Sequence, residues 1–142
     1  MAETFPHDPI RLSLGALETE IIDILWSKQG TSARNVLDQI LSDPDRELTH
    51  ASVLTVLKRL EQKGWVKRIR QGRISQWQVT VSRERAQALQ AYEHLDRFMA
   101  ASNPNVVAAF ANELDAASLD RIESLADQIK QLKELRQQRG QA

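Results

Sequence analysis

At Gly64 the spacing of apolar residues changes from steps of three and four to steps of two, and this change restricts the chain to few folds. Upstream, Leu14, Leu17, Ile21, Ile24 and Leu25 recur at helical spacing, with Ser13 as N-cap and Gly30 beyond the end. A second short helix is expected next, capped by Thr31 or Ser32, with Ala33, Val36, Leu37, Ile40 and Leu41 buried. Pro44 breaks the chain, and Thr49 caps a third helix, residues 49–63, in which Val53, Val56, Leu57 and Leu60 share one face. Gly64 supplies its left-handed stop. Downstream, residues 65–70 and 74–79 alternate around Gln71-Gly72-Arg73, the pattern of a two-stranded hairpin. Three short helices followed by a hairpin are the layout of a winged helix-turn-helix module.

The helical period then returns. Ser82 opens a long helix with Leu89, Tyr92, Leu95, Phe98 and Met99 as apolar positions, stopped near Ser102-Asn103-Pro104. Pro104 suits the first position of a short helix carrying Val106, Val107, Phe110 and Leu114. Ser118 opens the last helix, where Leu119, Ile122, Leu125, Ile129 and Leu132 step by three and four. That stripe is too short for an independent coiled coil, yet it needs a partner surface. Such stripes usually pack on their own chain; so few small helices leave little to fill this one, which points to a homodimer. The expected chain is mainly α with a small β-hairpin: a flexible N-terminal arm over residues 1–12, a winged-helix DNA-binding domain over 13–81 and a helical dimerisation domain over 82–138.

Composition narrows the setting. Cysteine is absent, which excludes disulfides and thiolate metal sites and fits a reducing cytoplasm. The first residues show no basic leader followed by an apolar run, and no apolar stretch is long, so neither a signal peptide nor membrane insertion is expected. The 19 basic and 19 acidic residues cancel. Their distribution does not: from Arg46 to Arg85 there are ten basic residues against three acidic ones, a local balance of +7. A concentrated positive segment on a neutral chain is what phosphate binding requires, because the attracting field is local.

On a helical wheel the side of the third helix opposite Val53 carries Ala51, Thr55, Lys58 and Gln62, with Ser52 and Arg59 at its edges. Small and hydroxyl side chains let a helix sit deep in a major groove, and Lys58 and Arg59 can neutralise phosphate or reach guanine. Leu54 beside that face either packs on a thymine methyl or flanks the core. Arg70 and Arg73 bracket the hairpin turn, within reach of the backbone or a minor groove, with Lys67 a weaker candidate. Charge on an edge hairpin also guards against aggregation, but the basic helix just before it favours DNA. Trp65 and Trp77 are expected as core anchors of the wing.

An enzyme finds little support, since the chain has no glycine-rich phosphate loop, metal-ligand pair or nucleophile elbow. His7, His50 and His94 are scattered; His50 is expected to cap or pack, and the neighbours of His94 do not share its helix face. No cofactor is implied. A winged helix used only for protein contacts would keep the fold but would not need the +7 segment.

The segments LGALETEIIDILW (14–26) and SVLTVLKRLEQKGWVKR (52–68), with the closing helix, resemble the penicillinase-repressor family, the BlaI/MecI/CopY type of bacterial regulators, over about residues 12–136. The resemblance implies a homodimer that blocks transcription from an inverted-repeat operator on double-stranded DNA, with Thr49, Ser52, Thr55, Lys58 and Arg59 as recognition-helix contacts. In well-known members the position of Leu54 is basic, so the operator read here is expected to differ. The copper-responsive branch carries a cysteine-rich tail that this chain lacks, which argues against a copper-thiolate switch. In the antibiotic-responsive branch a membrane sensor protease system leads to cleavage between an asparagine and a phenylalanine in the dimerisation lobe. The matching bond is Ala109-Phe110, with alanine in place of the asparagine; Phe110 is equally readable as a core residue of its helix.

Overall fold

The computed structural model describes residues 8–140. Its elements are α1 (Ala16–Lys28), α2 (Ala33–Ile40), α3 (His50–Gln62), β1 (Val66–Gln71), β2 (Ile74–Val79), α4 (Arg83–Ala101), α5 (Pro104–Glu113) and α6 (Ala116–Gly140). The mainly helical fold with one small hairpin follows the change of period at Gly64. Several helix ends are as their cap residues predict. The Thr49 hydroxyl accepts the Ser52 N–H at 3.1 Å, Ser82 accepts that of Arg85 at 3.1 Å, and Pro104 opens α5 behind the Asn103 cap.

Other ends differ from expectation for reasons that hydrogen bonding makes plain. Gly15, not Ser13, is the N-cap of α1, because the Glu18 carboxylate at the third position reaches back to accept the Gly15 N–H at 2.9 Å. Ser32 caps α2 by accepting from the Asn35 N–H. Thr31 is instead buried and exchanges both backbone hydrogen bonds with Trp77, at 3.1 and 2.8 Å, which attaches a one-residue third strand to the hairpin. Leu41 is 39% exposed, since α2 stops at Ile40 and Leu41 is its C-cap. The last helix starts at Ala116, two residues before Ser118, because Asp115 accepts the Ser118 N–H at 2.7 Å.

The hairpin pairs Val66 with Val79 and Gln71 with Ile74, leaving Gly72-Arg73 as a two-residue turn. Gly72 has φ of 65°, which a primed turn requires at that position. Gly64 also lies in the left-handed region (φ 85°), and a Cβ there would come within 3.0 Å of the Ile10 amide nitrogen.

Chain contacts divide the protein between Asp96 and Arg97. The first unit has one core, built from the inner faces of α1, α2 and α3 with Trp65, Val66, Trp77, Val81 and Ala86. Trp65 and Trp77 are 0% and 1% exposed, as expected of wing anchors. The Trp65 indole donates to the Arg11 carbonyl at 2.8 Å, and the Trp26 indole to the Val81 carbonyl at 2.9 Å. Of the arm expected over residues 1–12, residues 1–7 lie outside the described residues. The rest is tied down: Pro9 is buried, the Ile10 and Arg11 N–H groups donate to the Lys63 carbonyl, and Asp8 pairs with Arg85 at 2.9 Å. In the second unit, α5 and α6 contain no buried residue, and the Phe98 and Phe110 rings stand 5.0 Å apart.

Glu18 links the start of α1 to the end of α3. It is 6% exposed and pairs with Lys63 at 2.9 Å, while Lys63 also donates to the Ser13 carbonyl. Burial pushes the Glu18 carboxyl up, but the Gly15 N–H and the Lys63 ammonium outweigh it and Arg59 adds to them, so its pKa is lowered. A depressed folded pKa gives stability that is present above the unfolded carboxylate pKa and lost as pH falls through the folded one. Glu18→Gln should therefore cost about 1–3 kcal/mol at neutral pH. Chemical unfolding across the acid range should show the gap between wild type and variant closing below the usual glutamate range; a constant gap would rule out the ion pair as its source.

Candidate nucleic-acid interface

One face of α3 is consumed by the core, through Val53, Val56, Leu57 and Leu60. The opposite face is free: Ala51, Thr55, Lys58, Arg59 and Gln62 are exposed and Ser52 is half-buried at the edge. The wheel derived from sequence is thus realised in three dimensions. Two hydroxyls on this face already have local work. Thr49 caps the helix and shares a 2.8 Å contact with the Ser52 hydroxyl, and the Thr55 hydroxyl donates to the Ala51 carbonyl at 3.0 Å. That bond occupies the Thr55 proton and leaves its oxygen lone pairs outward as acceptors. Leu54 is half-buried and packs against the core cluster, while also lining a groove toward the hairpin.

Two structural braces fix the ends of α3. At its C-terminus the Lys63 carbonyl and ammonium group hold residues 10–18, as described above. Ahead of its N-terminus, Arg46 makes a two-pronged contact with Glu20 of α1, at 2.7 and 2.9 Å. The hydrogen bond from Arg46 lowers the Glu20 pKa, and the same bond raises that of Arg46. Sequence periodicity shows neither brace, because both partners lie far apart in the chain.

These pairings revise the basic segment. Arg46, Lys63 and Arg85 are matched by Glu20, Glu18 and Asp8. Arg68 and Arg83 lie over the Trp77 and Trp26 rings, at 5.8 and 5.2 Å. The remaining cations, Lys58, Arg59, Lys67, Arg70 and Arg73, are exposed and have no ion pair among the described residues. The unpaired charge therefore falls on α3 and the hairpin, the two elements that carry the predicted contacts. Thr49, Ser52, Thr55, Lys58 and Arg59 lie on one helix, and Arg70 and Arg73 flank or enter the turn.

The stripe expected to dimerise belongs to the second unit. Leu119, Ile122, Leu125, Ile129 and Leu132 are 44–59% exposed along α6. Leu135, not among the residues expected, continues the stripe at 53% exposure, and its three-residue step from Leu132 is the signal in the sequence. Ala109 and Phe110 sit within α5, with Phe110 44% exposed. No helix among the described residues is long and apolar enough to cross a membrane.

Among solved structures, the chain is similar to RosR of H. salinarum, with 16% identity over 84% of this chain and 96% of that one and a TM-score of 0.47. It is also similar to the oxidised form of MarR from E. coli, with 16% identity over 83% of this chain and 76% of that one and a TM-score of 0.44. No curated protein matches it significantly. The family model described as penicillinase repressor matches residues 14–131, which takes in the winged-helix elements and most of the last helix. The chain belongs to the penicillinase-repressor family and is a DNA-binding transcriptional regulator.

Proposed function

We propose that the protein is a homodimeric repressor of an inverted-repeat operator, with α3 in the major groove of each half-site and the Arg70/Arg73 turn on the neighbouring backbone or minor groove. The observation that carries this reading is the pairing pattern: every basic residue of the segment that is not tied up internally lies on α3 or the hairpin. In the second unit the exposed stripe of α6 supports association, since six large apolar side chains on one face in water call for a partner. Two-fold symmetry then places the recognition helices roughly 34–36 Å apart, or a multiple of it, and demands a palindromic site.

Duplex binding measured over a salt series tests the DNA face. Log affinity should fall by about 0.9 per log unit of salt for each phosphate neutralised. Arg73→Ala should lower that slope by roughly one unit, while Thr55→Ala should instead change sequence preference. A flat dependence would return the chain to a winged helix used for protein contacts. Equal losses on all sequences for both variants would contradict the division of roles.

Relief of repression is proposed to come from scission at Ala109-Phe110 by a membrane sensor protease system. Proteases act on extended backbone, so this bond, inside α5, must first leave its helix. Mass analysis of the chain under inducing conditions should find fragments ending at Ala109; an intact chain would sink the proposal.

A further inference from the structure

The apolar stripe of α6 is symmetric about its own midpoint. Leu119, Ile122, Leu125, Ile129, Leu132 and Leu135 follow one another in steps of three, three, four, three and three, so the series reads the same in both directions about Asp127. Each member has a counterpart equally far from Asp127: Leu119 with Leu135, Ile122 with Leu132, and Leu125 with Ile129. At about 3.6 residues per turn, Asp127 itself falls on the side of the helix away from Leu125 and Ile129. The six apolar residues are 44–59% exposed and no residue of α6 is buried, so the chain by itself does not close over the series.

Charge along the same helix is not symmetric but reversed. Residues 116–127 hold Asp120, Glu123 and Asp127 against Arg121, a balance of −2, whereas residues 128–140 hold Lys130, Lys133, Arg136 and Arg139 against Glu134, a balance of +3. None of these groups forms an ion pair among the described residues. Beside a parallel copy of this helix, each half would face a half of like charge. Turned end for end, opposite halves meet and attract. With the pair centred on Asp127, Glu123 comes next to the partner's Lys130. Acidic residues early and basic residues late also suit the macrodipole of a single helix, but that effect fixes neither a register nor a partner.

We propose that α6 pairs antiparallel with α6 of a second copy, with the two-fold axis level with Asp127. The spacing of the stripe fixes the register, and the reversal of charge fixes the direction. This rests on the homodimer reading and adds to it an orientation, a register and the position of the axis. Such a contact is isologous and closes at two copies, because each stripe is used in full. It is also selective for its own kind, since a helix without the charge reversal would meet like charge over one half.

The chain has no cysteine, so one spin label can be placed at a chosen position of the full-length protein. Asp120→Cys, Asp127→Cys and Glu134→Cys, seven residues apart, each carry it on the side away from the stripe. Pulsed electron–electron resonance then reads the distance between the two labels of a dimer. Antiparallel pairing makes this distance shortest at 127, because labels at 120 or at 134 are offset from their copies by about 20 Å along the helix. Equal distances at all three positions, or a minimum at 120 or 134, would overturn the proposal. Sedimentation over a concentration series tests the charges. Lys130→Glu should weaken self-association about fivefold, and adding Glu123→Lys should restore it. If the charges served only the macrodipole, the second substitution would weaken the helix further and restore nothing, which would also overturn the proposal. A wild-type protein that sediments only as a monomer would defeat the homodimer reading and this pairing with it; a dimer with a flat distance profile would defeat the pairing alone.

Discussion

Replacing Ile122 and Leu125 together by glutamate should leave the protein monomeric and weaken operator binding by about two to four orders of magnitude. In the proposed dimer the physical basis is the loss of linkage between half-sites: a second, tethered binding event typically contributes about 10²–10⁴ in avidity. Ile122 and Leu125 are 44% and 56% exposed and lie mid-stripe, so glutamates are tolerated by the isolated chain but would bury charge in an apolar interface. The first unit has its own core and should melt as in wild type. Sedimentation reports the association state, and fluorescence anisotropy on a duplex carrying an inverted-repeat site, first located by footprinting the wild-type protein, reports affinity. A variant that remains dimeric would move the interface off α6; a monomer with undiminished affinity would remove the symmetric pair from the mechanism.

Trp65→Ala should cost about 3–5 kcal/mol, the range for truncating a buried aromatic. Domains of this size are stable by only about 5–15 kcal/mol, so much of the folded population is at stake. Trp65 is wholly buried, meets Trp26 edge-on at 6.4 Å, and its indole N–H holds the Arg11 carbonyl. Its replacement therefore empties the junction of α3, the hairpin and residues 8–12 at once. Trp65→Phe keeps most of the volume and should lose less, chiefly the Arg11 hydrogen bond. Denaturant unfolding measures both, and a loss near zero for Trp65→Ala would show that the wing is not anchored there.

The outward face of α3 was legible without coordinates because a helix converts spacing into direction: Val53 and Leu57 fall together, which sends Thr55 and Lys58 to the other side. Caps such as Thr49 and Ser82 were equally local. The start of α1 is not legible in the same way: Ser13 and Gly15 are both acceptable caps, and the choice turns on Glu18, whose carboxylate is held by Lys63 at the end of α3. The strand at Thr31 has no signal in the sequence, because a single residue has no period and its pairing with Trp77 exists only after the hairpin has folded back.

Charge shows the same division. From sequence alone, residues 46–85 carry +7, and nothing local distinguishes one arginine from another. The partners Glu20, Glu18 and Asp8 of Arg46, Lys63 and Arg85 come from outside that segment, so only tertiary structure separates the paired cations from those left without an ion pair on α3 and the hairpin. The sequence by itself determined the element types, their order and the two faces of each helix, since these follow from periodicity and local hydrogen bonding. Tertiary structure decided which charges are spent, how α3 is held at both ends and where the groove beside it opens, because those depend on contacts between residues distant in the chain.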